Sequence, residues 1–160
     1  MAPKGAKVVA SNRRARYDYD VLETFECGIV LTGSEVKSIR DGKIQLKDSF
    51  ARVQDGEVWL HGVHVSPYAY AHGANAHDPD RPRKLLLHRA EIDELMGRTQ
   101  QESLTLIPLS VYFKDRRAKV ELGLAKGRRR YDKRQAIASR DAAREAERAM
   151  AQARRRRSNP

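Results

Sequence analysis

The chain is poor in cysteine, long apolar runs and glycine-rich loops, and each shortage removes a class of protein. Cys27 is its only cysteine, so no disulfide can form within one chain, as suits a reducing compartment. No apolar run approaches the ~18 residues of a membrane span. The first residues, MAPKGAKVVASNRRAR, are basic but carry no apolar segment of signal-peptide type, so a soluble, cytoplasmic protein is expected. The ten glycines are scattered singly, which excludes the common phosphate-cradling loops.

Catalytic groupings are missing too. Cys27 lies in a strand-like pattern with no histidine nearby, and reads as a small buried hydrophobe. His61 and His64 stand three apart in strand-like sequence and face opposite sides. His72 and His77, with Asp78 and Asp80, have no cysteine partners, so no metal site is expected. Neither an enzyme activity nor a cofactor is expected. A nuclease would need clustered metal-binding carboxylates, and none stands out.

What is present is positive charge, and it is unevenly placed. Residues 126–160 carry 13 Lys or Arg against 4 Asp or Glu, while residues 1–125 carry 19 against 17. A near-neutral body therefore bears a strongly basic tail with only two sizeable aliphatic side chains, Ile137 and Met150. Such a tail cannot fold by burying itself, and its charge calls for an external polyanion. It lacks the aromatic or leucine face that would insert into lipid. Arg140, Arg144 and Arg148 would stack on one helix face, which opposes a helix in isolation and favours one along RNA. The tail is expected to be disordered when free. Basic clusters also punctuate the body, at Arg13–Arg14–Arg16, Lys37–Arg40–Lys43, Arg81–Arg83–Lys84 and from Lys126 onward. Together these favour a nucleic-acid partner.

The body reads as mainly β. Residues 1–11 look like a flexible arm. Strands are expected over Tyr17–Leu31, Ser49–Gln54, Glu57–Val63, Ser103–Lys114 and Ala118–Leu124. Asp55-Gly56 between two alternating runs signals a tight hairpin, and Asp115-Arg116-Arg117 a second turn. Ser34 caps a short helix running to Gly42, residues 66–82 form a loop, and a second helix spans Arg83–Gly97. About five strands and two short helices suggest a small closed or nearly closed β-barrel. The division is an arm over 1–11, an RNA-binding barrel over 12–125 and a basic tail over 126–160.

Several strings resemble the SmpB family, the SsrA-binding proteins of bacterial trans-translation. They are NRRARYDY (Asn12–Tyr19), FECGIVLTGSEVKSIRDG (Phe25–Gly42), DSFA (Asp48–Ala51), DGEVWL (Asp55–Leu60), DPDRPRKLLLHRAEIDEL (Asp78–Leu95), LIPLSVYFK (Leu106–Lys114) and KVELGLAKGRRRYDKR (Lys119–Arg134), in the family's order. The resemblance implies an OB-like barrel that binds the tRNA-like domain of transfer-messenger RNA (tmRNA). It implies delivery with the GTPase EF-Tu to stalled ribosomes, where the body stands in for an anticodon arm near the decoding centre and the tail enters the vacant mRNA channel. Rescue of the ribosome and tagging of the incomplete peptide follow, with no covalent chemistry by the protein and no role for DNA or membrane.

By that resemblance, Asn12, Glu26, Arg83, Lys84, Leu86 and His88 contact the tRNA-like RNA. Arg13, Arg14, Lys37, Ser38, Arg40 and Lys126 join them as further RNA contacts. Gly127, Asp132, Lys133 and Arg134 match a tail motif tied to ribosome function. Arg128, Arg129, Arg130, Tyr131, Arg140, Arg144, Arg148 and Met150 complete the tail's ribosome-contacting set. Departures are few: Cys27 replaces a common alanine, Arg128–Arg130 replace lysines, and Ala149 stands where some members have a larger residue before the apolar anchor. The competing reading is a general ribosome-associated RNA-binding protein or RNA chaperone.

Overall fold

A computed structural model describes residues 5–127 and 144–155. The chain divides into two compact units, Met1–Gly127 and Arg128–Pro160. The first is mainly β. In chain order it holds β1 (Lys7–Ser11), α1 (Ala15–Asp18), β2 (Tyr19–Ile29), α2 (Gly33–Arg40), β3 (Ile44–Gln45), β4 (Phe50–Gln54), β5 (Glu57–His61), β6 (His64–Val65), a 3-10 turn at Gly73–Asn75, β7 (Arg83–Leu86), α3 (Arg89–Gln101), β8 (Thr105–Lys114) and β9 (Arg117–Gly127). Neighbouring strands run β1-β8-β4-β5-β7-β2-β9, and β9 pairs again with β8. Six antiparallel strands thus form a closed cycle of hydrogen-bonded neighbours, with β1 added to the far end of β8.

Local chemistry explains the turns. Asp55 and Gly56 both take positive φ, 53° and 74°, so β4 and β5 join by the tight turn their sequence requires. Asp115 and Arg116 do the same between β8 and β9, at 51° and 65°. Pro108 sits beside a register shift in β8, where its missing N–H costs least. The extra residue, Leu109, packs over Gly123, where a Cβ would meet its side chain at 3.1 Å. Alternate residues of β2, β5, β7, β8 and β9 point inward, and the buried side chains include Phe25, Cys27, Val58, Leu60, Leu85, Val120, Leu122 and Leu124. Each large apolar side chain so buried contributes roughly 1.5–3 kcal/mol.

The structure corrects several expectations. The arm expected over 1–11 is a strand from Lys7, because half-buried Val9 and Ala10 pack on the core. Tyr17 and Asp18 belong to α1, and β2 begins at Tyr19. Arg83–Leu86, read as the start of a helix, is β7, and the helix runs from Arg89 to Gln101 through Gly97. Arg83 and Leu85 face in while Lys84 and Leu86 face out; an arginine in an inward position disguises the two-residue period. Finally, Lys126 and Gly127 close the body rather than open the tail, since they pair with Asp20 and Tyr19.

Helix α2 is capped at Thr32, not Ser34: the Thr32 N–H donates to Glu35 Oε1 at 2.9 Å, the reciprocal half of a capping box. In the second unit, residues 144–155 are helical and exposed. Four alanines and the Glu145–Arg148 spacing suit a helix.

Candidate nucleic-acid interface

The outer face of β2 and β7 brings together several of the sequence-predicted residues. Leu86 lies opposite Gly28, and its Cβ sits 3.2 Å from where a Cβ on Gly28 would be. With no side chain there, Leu86 lies flat and 50% exposed. Glu26 is two residues along β2 from Gly28, on the same outer face. Lys84, opposite Trp59, donates to Glu57 Oε1 at 2.8 Å. That pair is half-exposed and worth at most about 1 kcal/mol, so a phosphate can replace the carboxylate. His88 is exposed at the N-cap of α3, where its N–H donates to Glu91 Oε1 at 3.1 Å.

Glu26 is tied to the sheet. The buried Tyr112 hydroxyl donates to its Oε2 at 2.6 Å, and Lys114 Nζ lies 3.4 Å from its Oε1. The Tyr112 hydrogen bond, helped by Lys114 and Lys119, holds the Glu26 carboxyl below the usual carboxylate range. Burial and the same bond push the Tyr112 phenol up. Glu26 is therefore a fixed anion that can accept from a base amino group or order an incoming arginine.

A second basic group lies on α2. Lys37 and Arg40 are exposed, with Lys37 Nζ 5.4 Å from the Tyr68 ring centroid and the Arg40 guanidinium 5.5 Å from that of Phe113. Arg13 and Arg14 are exposed where β1 leads into α1, and Arg16 reaches Glu121 at 3.6 Å. Lys126 and Gly127, at the end of β9, lie across from β2 just after α1.

Three expected contacts are claimed by the fold. Arg83 is 0% exposed. Its Nε donates to Glu35 Oε2 at 2.5 Å, Nη1 to the Val63 carbonyl at 2.9 Å and Nη2 to those of Pro79 at 3.0 Å and Asp78 at 3.4 Å. It cannot reach a phosphate; it ties α2 to β7 and to the loop after β6. Ser38 is also fully buried, its hydroxyl without a partner among the described residues. Asn12 Nδ2 donates to the carbonyls of Pro108 at 3.1 Å and Leu46 at 3.4 Å, and its Oδ1 accepts from the Ala15 N–H. Its side chain fixes the turn into α1.

Glu35 was not singled out from sequence as a site residue. Burial alone would raise its carboxyl, but hydrogen bonds from Arg81, the Thr32 N–H and Arg83 outweigh it and hold the group at about 2. The only sequence signals are its capping position after Thr32 and the Arg81-x-Arg83 spacing. Among the described residues no group of three His, Cys, Asp or Glu is arranged to hold a metal, and no helix is long and apolar enough to cross a membrane. The tail residues Arg128, Arg129, Arg130, Tyr131, Asp132, Lys133, Arg134 and Arg140 lie outside the described residues. Arg144, Arg148 and Met150 are exposed on the 144–155 helix.

The family model described as SmpB protein matches residues 9–152. An SsrA-binding protein of Frankia casuarinae is 58% identical over 146 residues, covering 91% of each chain. One of Desulforudis audaxviator is 59% identical over 149 residues, 93% of this chain and 97% of that one. A chain in a solved structure of tmRNA–SmpB and the bacterial ribosome matches with a TM-score of 0.63 and 51% identity, over 80% of this chain and 93% of its own.

Proposed function

Because the chain belongs to the SmpB family, we propose that it is an RNA-binding adaptor of trans-translation. It binds tmRNA and acts with it on stalled ribosomes, so that the incomplete peptide is tagged and the ribosome released. The observation that carries this is the match over residues 9–152, with relatives 58% and 59% identical over 91% and 97% of their own length. The closed cycle of six strands is read as an OB-like barrel, and the tRNA-like domain of tmRNA as what its outer surface holds. In this reading Glu26, Lys84, Leu86 and His88 form one contact face, and Lys37, Arg40, Arg13, Arg14 and Lys126 neutralise phosphates. Asn12, Ser38 and Arg83 shape these faces from within.

The tail reaches the decoding centre and mRNA channel, and EF-Tu accompanies delivery in the cytoplasm. The protein supplies binding, not covalent chemistry. The tail's charge density also favours the competing reading of diffuse RNA affinity.

The test titrates the full chain and a chain ending at Gly127 against the tRNA-like domain and an unrelated structured RNA of equal length, at several salt concentrations. The body alone is expected to keep its preference for the tRNA-like domain while ribosome rescue is lost. Loss of preference on truncation, or two RNAs that differ at no salt concentration, would leave only general electrostatic affinity.

A further inference from the structure

The loop between β6 and β7 carries two tyrosines that the fold does not bury. Tyr70 is 82% exposed and Tyr68 half-buried. Their rings meet edge to face, centroids 5.4 Å apart at 64°. With Lys37 and the first residues of α2 they line an open cleft of about 430 Å³ that has no acidic side chain in its wall. That volume lies in the ordinary range of ligand pockets, roughly 300–1,000 Å³.

The loop is held in place by other groups. The Ser66 N–H donates to the Lys43 carbonyl at 3.0 Å, and Ala71 N–H to Tyr68 O at 3.0 Å. His77 bridges Ser34 Oγ at 2.8 Å and the Val65 carbonyl at 3.0 Å. Arg83 holds the carbonyls of Asp78 and Pro79. The Tyr70 ring is therefore presented to solvent by a loop pinned at both ends, which lowers the ordering cost of binding.

We propose that this cleft takes one unpaired RNA nucleotide, its base stacked on Tyr70 and its phosphate against Lys37. This rests on the RNA-binding reading above and adds a subsite that the sequence motifs did not mark. Every base offers a π-face, so an aromatic platform suits any unstacked nucleotide. Lys37, exposed in the cleft wall, supplies the counter-charge a phosphate requires. The unpaired nucleotide could belong to tmRNA or to ribosomal RNA; the chemistry is the same.

The experiment compares wild-type protein, Tyr70→Ala and Tyr70→Phe for affinity to the tRNA-like domain of tmRNA and, separately, to small ribosomal subunits. Nucleotides photo-crosslinked to the loop are mapped in each complex. Tyr70 is exposed, so all three proteins should show the same thermal unfolding. Tyr70→Ala is expected to weaken one of the two complexes about tenfold, within the contribution of one stacked base, while Tyr70→Phe leaves it unchanged. The weakened complex, and the crosslink in it, identify the RNA that supplies the nucleotide. Equal affinities of all three proteins in both complexes, with no crosslink in the loop, would overturn the subsite. If the wild type shows no preference for the tRNA-like domain over unrelated RNA, the adaptor reading fails instead, and the alanine–phenylalanine contrast still decides the cleft.

Discussion

Glu35 and Arg83 form the most consequential pair of single residues. Both are fully buried, yet every donor nitrogen of Arg83 has an acceptor. Buried charges persist only when so satisfied. Arg83→Ala should destabilise the body by about 3 kcal/mol, read in urea unfolding, because it strips a buried carboxylate of one partner and several carbonyls of their donor. Arg83→Lys should not restore it, since an ammonium cannot reproduce the guanidinium fork. The carboxyl of Glu35 sits at about 2 when folded, against an ordinary value of 4.5. A depressed folded value means the stabilisation is present above the unfolded value and fades as pH falls from about 4.5 toward 2. Glu35→Gln should flatten that part of the acid-unfolding curve. Cys27 offers a further check: burial, aided by Glu91 and Glu26, pushes its thiol up to about 12. It should not react with a thiol reagent in the native protein and should react promptly once unfolded.

Among the elements, β1 and β7 are two that local patterning misjudged. Lys7–Ser11 pairs with Ser110–Phe113 of β8, and Val9 and Ala10 lie against the core. Removing residues 1–6 should leave thermal unfolding unchanged, whereas removing residues 1–11 should lower the midpoint by roughly 5 °C or more. β7 matters for the proposed RNA contact, because it puts Lys84 and Leu86 on the outer face beside Gly28 and Glu26. As a helix, the same residues would have spread their side chains around an axis.

At the scale of the whole molecule, charge and packing are separated along the chain. The first unit holds the apolar core and the second holds most of the net positive charge. RNA affinity of the full chain should therefore fall steeply with salt. A chain ending at Gly127 should show a slope shallower by about 0.7–0.9 for each phosphate the tail neutralises, measured as log affinity against log salt. Ending instead at Ala125 would remove the last two residues paired with β2 and confuse lost pairing with lost charge.

Several features were legible in the residues alone because their causes are local. Asp55-Gly56 demands its turn, and Asp115-Arg116 behaves alike. The long motifs between Asn12 and Arg134 marked the family, and the comparisons with relatives agree. The fate of the arginines was not legible. Arg81, Arg83 and Lys84 look equivalent in sequence, yet Arg81 and Arg83 both close on Glu35 and only Lys84 stands on the outer face. Glu35 is 48 residues from Arg83, and such a partnership exists only once α2 packs against β7. The same holds for Ser38, Asn12 and the tyrosine-lined cleft. Propensity, turn geometry and charge act over a few residues and can be read in sequence. Which polar side chains are buried, and which are left to meet RNA, depends on distant segments brought together, and only the tertiary structure decides it.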